Sequence, residues 1–195
     1  TVWKEFKPGE IELYSNIGTS LLGYIVEQIS EKDFRDYCRA YIFEPLEMFQ
    51  TDFLYSKLNQ EFLATPYRNP NHSMTPYNQR AYPAGSIKTS IADFSHFTIA
   101  MLNRGEYKGN RIIKESSIKK MLEIQNPASG TALLWEHFLD DWVGHRGGYT
   151  GFSTMAEWSF DHDMGMVIFS NLSNTSVYPK GRIYELVKYE CLKYQ

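Results

Sequence analysis

The sequence has few cysteines, no excess of basic residues and no long apolar run. Cys38 and Cys191 are the only cysteines. Without a C-x-x-C pair they are too few for a disulfide framework, so we expect two unpaired thiols rather than one long-range bridge. The formal net charge is −3, which offers no basic field to nucleic acid or anionic lipid. No apolar run approaches the roughly 20 residues of a membrane span. We therefore expect neither a nucleic-acid partner nor a membrane-spanning helix.

The beginning of the sequence lacks an initiator Met and the pattern of a signal peptide, so localisation is undetermined. A chain of 195 residues is long enough for one domain with a sizeable core. The aromatic content of 15% is high and favours an aromatic-lined cleft, although core packing alone would also account for it.

The apolar pattern is helical first and strand-like later. Helices are predicted at residues 17–29, with Asn16 as N-cap and a mostly buried face, and at 34–43, 91–102, 115–124 and 179–194. Strands are predicted at residues 131–135, 142–148, 152–160 and 164–171. Residues 51–83 are mostly irregular, rich in turn residues and aromatics. The order predicts an α+β fold with a mainly helical region at 1–130, then antiparallel strands and a closing helix at 131–195.

Candidate metal ligands are sparse. His137, Asp140, Asp141 and His145 lie close in sequence, but none of the histidines shows a recognised ligand spacing. Because strand and turn geometry would scatter these side chains, we expect no metal site, and no motif indicates a cofactor.

Tyr14-Ser15-Asn16 combines a phenol and an amide at the start of the first helix. The Tyr hydroxyl can move a proton, and the Asn side chain can hold an amide group. The alternative is structural: an ordinary helix cap beside a buried tyrosine.

Four segments resemble, in order, the conserved regions of class C β-lactamase-like serine hydrolases. They are Pro8 to Glu27 with Tyr14-Ser15-Asn16, Ile42 to Thr51, Ala84 to Asp93, and His145 to Phe152. The resemblance spans nearly the whole chain and implies the penicillin-binding (DD-peptidase-like) fold. It also implies three motifs: S-x-x-K with the nucleophile, a second motif that is Y-x-N here, and a third that is usually K-T-G.

The resemblance assigns roles to six residues. Tyr14 would transfer protons, and Asn16 would hydrogen-bond the substrate amide or the first-motif Lys. His145, in His145-Arg146-Gly147, replaces the Lys of K-T-G, which argues against a dedicated β-lactamase. The amide of Gly148 would form half of an oxyanion hole. Substrate binding is assigned to Gly147 and Tyr149.

The first motif is absent ahead of Tyr14. S-x-x-K spacing occurs at Ser116–Lys119 and Ser117–Lys120, but both lie after the second motif in a predicted surface helix, so neither serine is assigned as nucleophile. We therefore expect this chain to be the C-terminal portion of a serine hydrolase domain. Its partners would be a missing N-terminal segment and a small-molecule or peptide substrate. Alone it would be inactive. The alternative is a non-catalytic pseudoenzyme or ligand-binding module.

Overall fold

A computed structural model describes residues 5–7, 9–79, 81–138, 141–173 and 182–193. The α-helices are α1 (Asn16–Ser30), α2 (Phe34–Cys38), α3 (Ile91–Leu102), α4 (Glu115–Leu122) and α5 (Arg182–Leu192). The strands are β1 (Tyr67–Asn69), β2 (His72–Ser73), β3 (Glu106–Tyr107), β4 (Asn110–Arg111), β5 (Glu136–His137), β6 (Trp142–Tyr149), β7 (Phe152–Ser159) and β8 (Met164–Ser170). Four helices precede the main sheet and one follows it, as predicted. In the part of the chain so described, no helix is both long and apolar enough to cross a membrane.

Helix α1 begins one residue earlier than predicted. The Ser15 hydroxyl accepts a hydrogen bond from the Gly18 amide at 3.0 Å, so Ser15 is the N-cap and Asn16 is the first helical residue. The helix ends at Ser30, where Glu31 adopts a left-handed conformation with φ of 56°.

The predicted single helix over residues 34–43 is two kinds of helix. After α2 the chain forms a π-helical turn at Arg39–Phe43, in which the Glu44 amide donates to the Arg39 carbonyl at 2.9 Å. The wider turn brings Cys38 and Phe43, five residues apart, to the same side of the helix, and both are buried in the helical core.

Helix α3 has the predicted boundaries. The Ser90 hydroxyl accepts from the Asp93 amide at 3.0 Å, and Asp93 lies in the first turn. The Asp93 carboxylate is buried and also accepts from the Gln50 amide at 2.7 Å and the Thr51 hydroxyl at 2.8 Å. It thereby fixes the connector after the π-helical turn to α3.

The main sheet is antiparallel with strand order β5-β6-β7-β8. The strand predicted at residues 131–135 is wrong, because that run turns back on itself. The Ala132 amide donates to the Trp135 carbonyl at 2.8 Å, and Leu134 has a φ of 64°. The strand β5 forms only after this turn, and Thr131 makes an isolated bridge to Glu136.

The sheet is packed on both faces. Trp142, Met155, Met166 and Ile168 form a core with Tyr184 of α5. Val143 and Trp158 point the other way and pack with Met101 of α3 and Ile118 of α4. Because side chains alternate along a strand, His145, Gly147 and Tyr149 share the face of Val143.

Helix α1 differs from the prediction of a mostly buried face. Gly23 is its only buried residue, and a Cβ there would lie 2.6 Å from the Cβ of Pro83, as expected for close packing at that point. The exposed large apolar side chains are Ile17, Leu21, Leu22, Tyr24, Ile25 and Ile29, with exposed fractions of 43% to 81%. None of the described residues covers this face. The predicted helix is therefore confirmed, and its predicted burial is wrong.

Candidate active site

The structure brings together the two motifs that lie 131 positions apart in sequence (145 − 14). The ring centroids of Tyr14 and His145 are 6.4 Å apart and tilted by 31°. Tyr14 is 75% exposed, so the alternative of a buried structural tyrosine is wrong. The phenol, just ahead of α1, and the imidazole, on β6, therefore lie side by side, with the Tyr14 side chain open to solvent.

Strand β6 determines which third-motif side chains face Tyr14. It pairs with β7 along its whole length, with His145 opposite Ala156. Its pairing with β5 ends at Gly144. Beyond Gly144, β6 is therefore no longer paired with β5. His145, Gly147 and Tyr149 lie in this part of the strand on the face next to Tyr14, whereas Arg146 lies on the opposite face.

Arg146 is committed to the other side of the sheet. Its guanidinium donates to Glu157 Oε1 at 3.0 Å, and the Tyr184 hydroxyl donates to Glu157 Oε2 at 3.3 Å. Glu157 is fully buried; burial raises the pKa of its carboxyl, and the Arg146 cation opposes that rise. Opposite it in the register, Gly144 leaves room for the Glu157 side chain, since a Cβ there would clash with it.

The sequence reasoning missed Glu157. The available signal was that Glu157 lies two residues after Met155 in β7, so its carboxylate shares the sheet face of an apolar side chain. The consequence for the site is that the cation of His145-Arg146-Gly147 is paired away from Tyr14, which leaves His145 as that motif's only ionisable group facing it.

The glycines of the third motif leave space beside His145. A Cβ on Gly147 would clash with the Thr154 hydroxyl, so a larger residue there would force the Thr154 side chain to move. Gly148 pairs with Ser153 and is exposed. A ligand backbone can therefore approach this end of β6 closely.

Tyr149 belongs to an aromatic pair that the sequence did not reveal. It is 53% exposed, and its ring centroid is 5.6 Å from that of Tyr77. The Tyr77 hydroxyl donates to the Thr150 carbonyl at 2.6 Å, and burial, with Tyr149 and Tyr55 nearby, raises the pKa of Tyr77 to about 12. The irregular 51–83 region thus contributes a wall beside the predicted substrate residues.

Asn16 lies in the first turn of α1, with its backbone carbonyl accepting from the Ser20 hydroxyl at 2.8 Å. Its side chain is exposed and makes no hydrogen bond to any described residue, so the amide is available to a ligand. Ser116 and Ser117 are exposed on α4, as expected for a surface helix.

Those remaining candidates that the structure describes do not come together as a metal site. His137 Nε2 bonds the Leu122 carbonyl at 2.8 Å, and Asp140 lies outside the described residues. Among residues that are described, no three His, Cys, Asp or Glu side chains come close enough to hold a metal ion. Cys38 and Cys191 are both free thiols, the first buried and the second half-buried.

Known proteins resemble this chain in sequence and in fold. Protein flp of Staphylococcus aureus strain MW2 is 27% identical over 184 residues, which is 89% of this chain and 36% of that protein. The putative penicillin-binding protein PbpX of Bacillus subtilis strain 168 is 23% identical over 91% of this chain and 45% of its own length. The chain therefore spans less than half the length of both curated relatives.

Among solved structures, the D-alanine carboxypeptidase AmpC of Burkholderia cenocepacia superposes with a TM-score of 0.79 at 17% identity. The superposition covers 99% of this chain and 64% of the carboxypeptidase chain. This likeness shows that the fold is that of β-lactamases and penicillin-binding proteins. The family model described as Beta-lactamase matches residues 1–189. The chain therefore belongs to the beta-lactamase family.

Proposed function

We propose that this chain is the C-terminal portion of a serine hydrolase that cleaves amide, peptide or ester bonds through an acyl-enzyme. The observation that carries the proposal is the approach of Tyr14 to His145, at 6.4 Å between rings. A phenol that can transfer a proton and an imidazole then face the same space, an arrangement that can serve acyl transfer. Family membership supports the reaction class.

Each predicted residue has a distinct part in this scheme. The Tyr14 hydroxyl transfers protons between the nucleophile, the leaving group and water. The Asn16 amide hydrogen-bonds the substrate amide or the first-motif Lys. The Gly148 backbone amide stabilises the oxyanion. Gly147 leaves room for the substrate backbone, and the exposed Tyr149 ring contacts the substrate beside it.

The nucleophile would come from a segment that precedes Tyr14 in the full-length protein. A serine in S-x-x-K would attack the carbonyl, the leaving group would depart with a proton, and water would hydrolyse the ester so formed. The open apolar face of α1 supports this proposal, since a further helix could bury it. A groove of about 430 Å³ between α1 and residues 81–83 lies beside that face. Residues 1–195 alone would then not turn over substrate, because the parts act as a unit.

The charged groups of the third motif support a neutral substrate. A Lys in K-T-G would offer an ammonium group to a substrate carboxylate, whereas the His145 side chain has no ammonium group and Arg146 is paired with buried Glu157. Small amides, peptides and esters, including those with a D-residue, fit this charge better than β-lactam acids. One structural neighbour is named as a D-alanine carboxypeptidase. For this chain to act in that way, a cation from another part of the protein would have to bind the substrate carboxylate.

The test is covalent labelling of the full-length protein with a fluorophosphonate and with a labelled penicillin. We expect the fluorophosphonate to label one serine upstream of Tyr14, and the penicillin to label weakly because the third-motif Lys is replaced. The matched control is Ser116→Ala, which should keep the label. Failure of both probes to label any serine would contradict the hydrolase and favour a ligand-binding module.

A second experiment tests Tyr14 directly. Tyr14→Phe in the full-length protein should lower hydrolysis of the substrate found by about 10² to 10⁴-fold, the range of general acid–base catalysis. Tyr24→Phe is the control, because Tyr24 is also exposed but lies outside the motif. Equal activity of the two variants would remove Tyr14 from the mechanism.

A further inference from the structure

Tyr14 lies at the end of an irregular segment, residues 9–14, that has little support of its own. Among the described residues Glu10 bonds only within its turn: its amide donates to the Lys7 carbonyl, and its carboxylate accepts from the Lys7 amide. Within the described part of the chain, the hydrogen bonds that connect this segment to distant residues all end on Glu12. Tyr14 is joined to α1 on its C-terminal side through the N-cap Ser15. On its N-terminal side, its position therefore depends on what holds Glu12.

The Glu12 carboxylate is bound by three neutral donors from one loop. Glu12 Oε2 accepts from Asn126 Nδ2 at 2.6 Å and from the Ser129 hydroxyl at 2.7 Å. Glu12 Oε1 accepts from the Thr131 hydroxyl at 2.8 Å. The bond from Ser129, followed by those from Thr131 and Asn126, lowers the pKa of Glu12, so the carboxylate is charged at neutral pH. Charge-assisted hydrogen bonds of this kind are the stronger ones.

The loop bound by Glu12 is joined to the strand that carries His145. Thr131 forms an isolated bridge with Glu136, and Glu136 of β5 pairs with Gly144 of β6. His145 is the next residue along β6. A closed circuit of contacts thus runs from Tyr14 through Glu12, the loop and β5 to His145, and back across the 6.4 Å between the two rings.

We propose that Glu12 is a positioning residue that sets the separation of Tyr14 and His145. It acts by fastening the segment before Tyr14 to the loop at residues 126–131, and it does not touch the substrate. Its functional meaning rests on the proposed hydrolase, but the geometric claim can be tested without any activity.

The test compares Glu12→Ala with Glu10→Ala in the full-length protein labelled with ¹³C in its Tyr and His rings. Ring-to-ring nuclear Overhauser effects between Tyr14 and His145 are assigned with Tyr14→Phe and His145→Gln. We expect this signal in the unmodified protein and in Glu10→Ala, and its loss in Glu12→Ala. Glu12 is exposed, so thermal unfolding of Glu12→Ala should remain close to that of the parent.

Glu12→Gln keeps an oxygen acceptor without the charge and should retain a weakened signal. This variant decides the question if Glu12→Ala fails to fold. An unchanged signal in Glu12→Ala, an equal loss in Glu10→Ala, or no signal in the unmodified protein would each overturn the proposal. If the protein proves to be a hydrolase, Glu12→Ala should lower kcat by up to about 100-fold with little change in KM, as misplacement of a reacting group does. Failed labelling of the serine would refute the hydrolase and leave the ring-to-ring result standing.

Discussion

The strand that carries His145 is packed on both faces, whereas the helix that follows Tyr14 is packed on one. Side chains of β6 alternate between a core shared with α5 and a core shared with α3 and α4. Helix α1 buries only Gly23, against Pro83, and leaves a row of large apolar side chains open. Both regions have the apolar pattern of a buried element, yet only the strand is buried.

The difference teaches what an amphipathic pattern can predict. Apolar spacing identifies the face of a helix that is to be buried, but it does not identify the element that buries it. For the sheet, that element is present among the described residues. For α1, the proposed upstream segment would supply it, and this contrast can be tested by mutation.

The largest expected effect is the loss of a core side chain on the packed side. Trp158 is fully buried next to Met101 and Ile118, so Trp158→Ala should lower the free energy of unfolding of this chain by about 3–5 kcal/mol. Ile29→Ala on α1, where the side chain is 81% exposed, should change it by no more than about 0.5 kcal/mol. Urea unfolding of both variants measures the two losses of free energy. Similar losses would contradict the difference in packing between the sheet and α1.

The buried ion pair behind β6 should give the next effect. Glu157→Ala leaves the Arg146 guanidinium unpaired beside an apolar core, and we expect a loss of about 3 kcal/mol in the free energy of unfolding. The matched variant is Arg146→Met combined with Glu157→Ala, which removes both charges and should recover part of the loss. A double variant that is less stable than Glu157→Ala would argue against the unpaired charge as the cause.

The pH dependence of the Glu157 effect has a definite sign. Because the folded pKa of Glu157 is raised above its ordinary value of 4.5, the folded state holds this proton more tightly than the unfolded chain does. Its contribution to stability is present at low pH and is lost as the pH rises through the folded pKa. The free energy of unfolding, measured from pH 4 upward, should lack this pH-dependent decrease in Glu157→Gln. If its slope against pH is the same as in the parent protein, other groups cause the decrease.

A smaller effect tests whether the open face of α1 is covered in the longer protein. Leu21→Ala should cost no more than about 0.5 kcal/mol in the 195-residue chain, since the side chain is 52% exposed. In the full-length protein the same change should cost about 2 kcal/mol or more, because a buried leucine would leave a cavity. Equal costs in the two proteins, by urea unfolding, would show that the upstream segment packs elsewhere.

Local signals predicted much of this structure. The predicted start of α3 is correct, because Ser90 caps the helix and Asp93 lies in its first turn. The predicted break between the strands at 152–160 and 164–171 is also correct, since Asp161-His162-Asp163 separates β7 from β8. Caps and turns depend on residues within a few positions, so the sequence shows them directly. The order of motifs then predicted the family, which the comparison confirms.

Long-range contacts account for what was missed. Glu12 and Asn126 are separated by 114 positions, and Tyr77 and Thr150 by 73. No local pattern distinguishes these side chains from ordinary exposed residues. The π-helical turn and the misplaced strand β5 have the same origin, because in both places the packing of neighbouring elements overrides local preference.

The smallest effect concerns the wall beside Tyr149, where the irregular region meets the packed sheet. Tyr77→Phe keeps the aromatic ring and removes the hydrogen bond to the Thr150 carbonyl, so the free energy of unfolding should fall by about 1 kcal/mol. The folded pKa of Tyr77, raised to about 12, means that the contribution of this hydroxyl is present below pH 10 and is lost as the pH rises towards 12.

Ultraviolet titration of tyrosinate and urea unfolding across this range would measure both quantities. Tyr149→Phe is the control, since its hydroxyl bonds to none of the described residues and its removal should be nearly neutral. If Tyr77→Phe were also neutral and its alkaline titration unchanged, the 51–83 region would not be fastened at Thr150. The open side of the molecule would then include the loop as well as α1, and the candidate site would have only one rigid wall, β6.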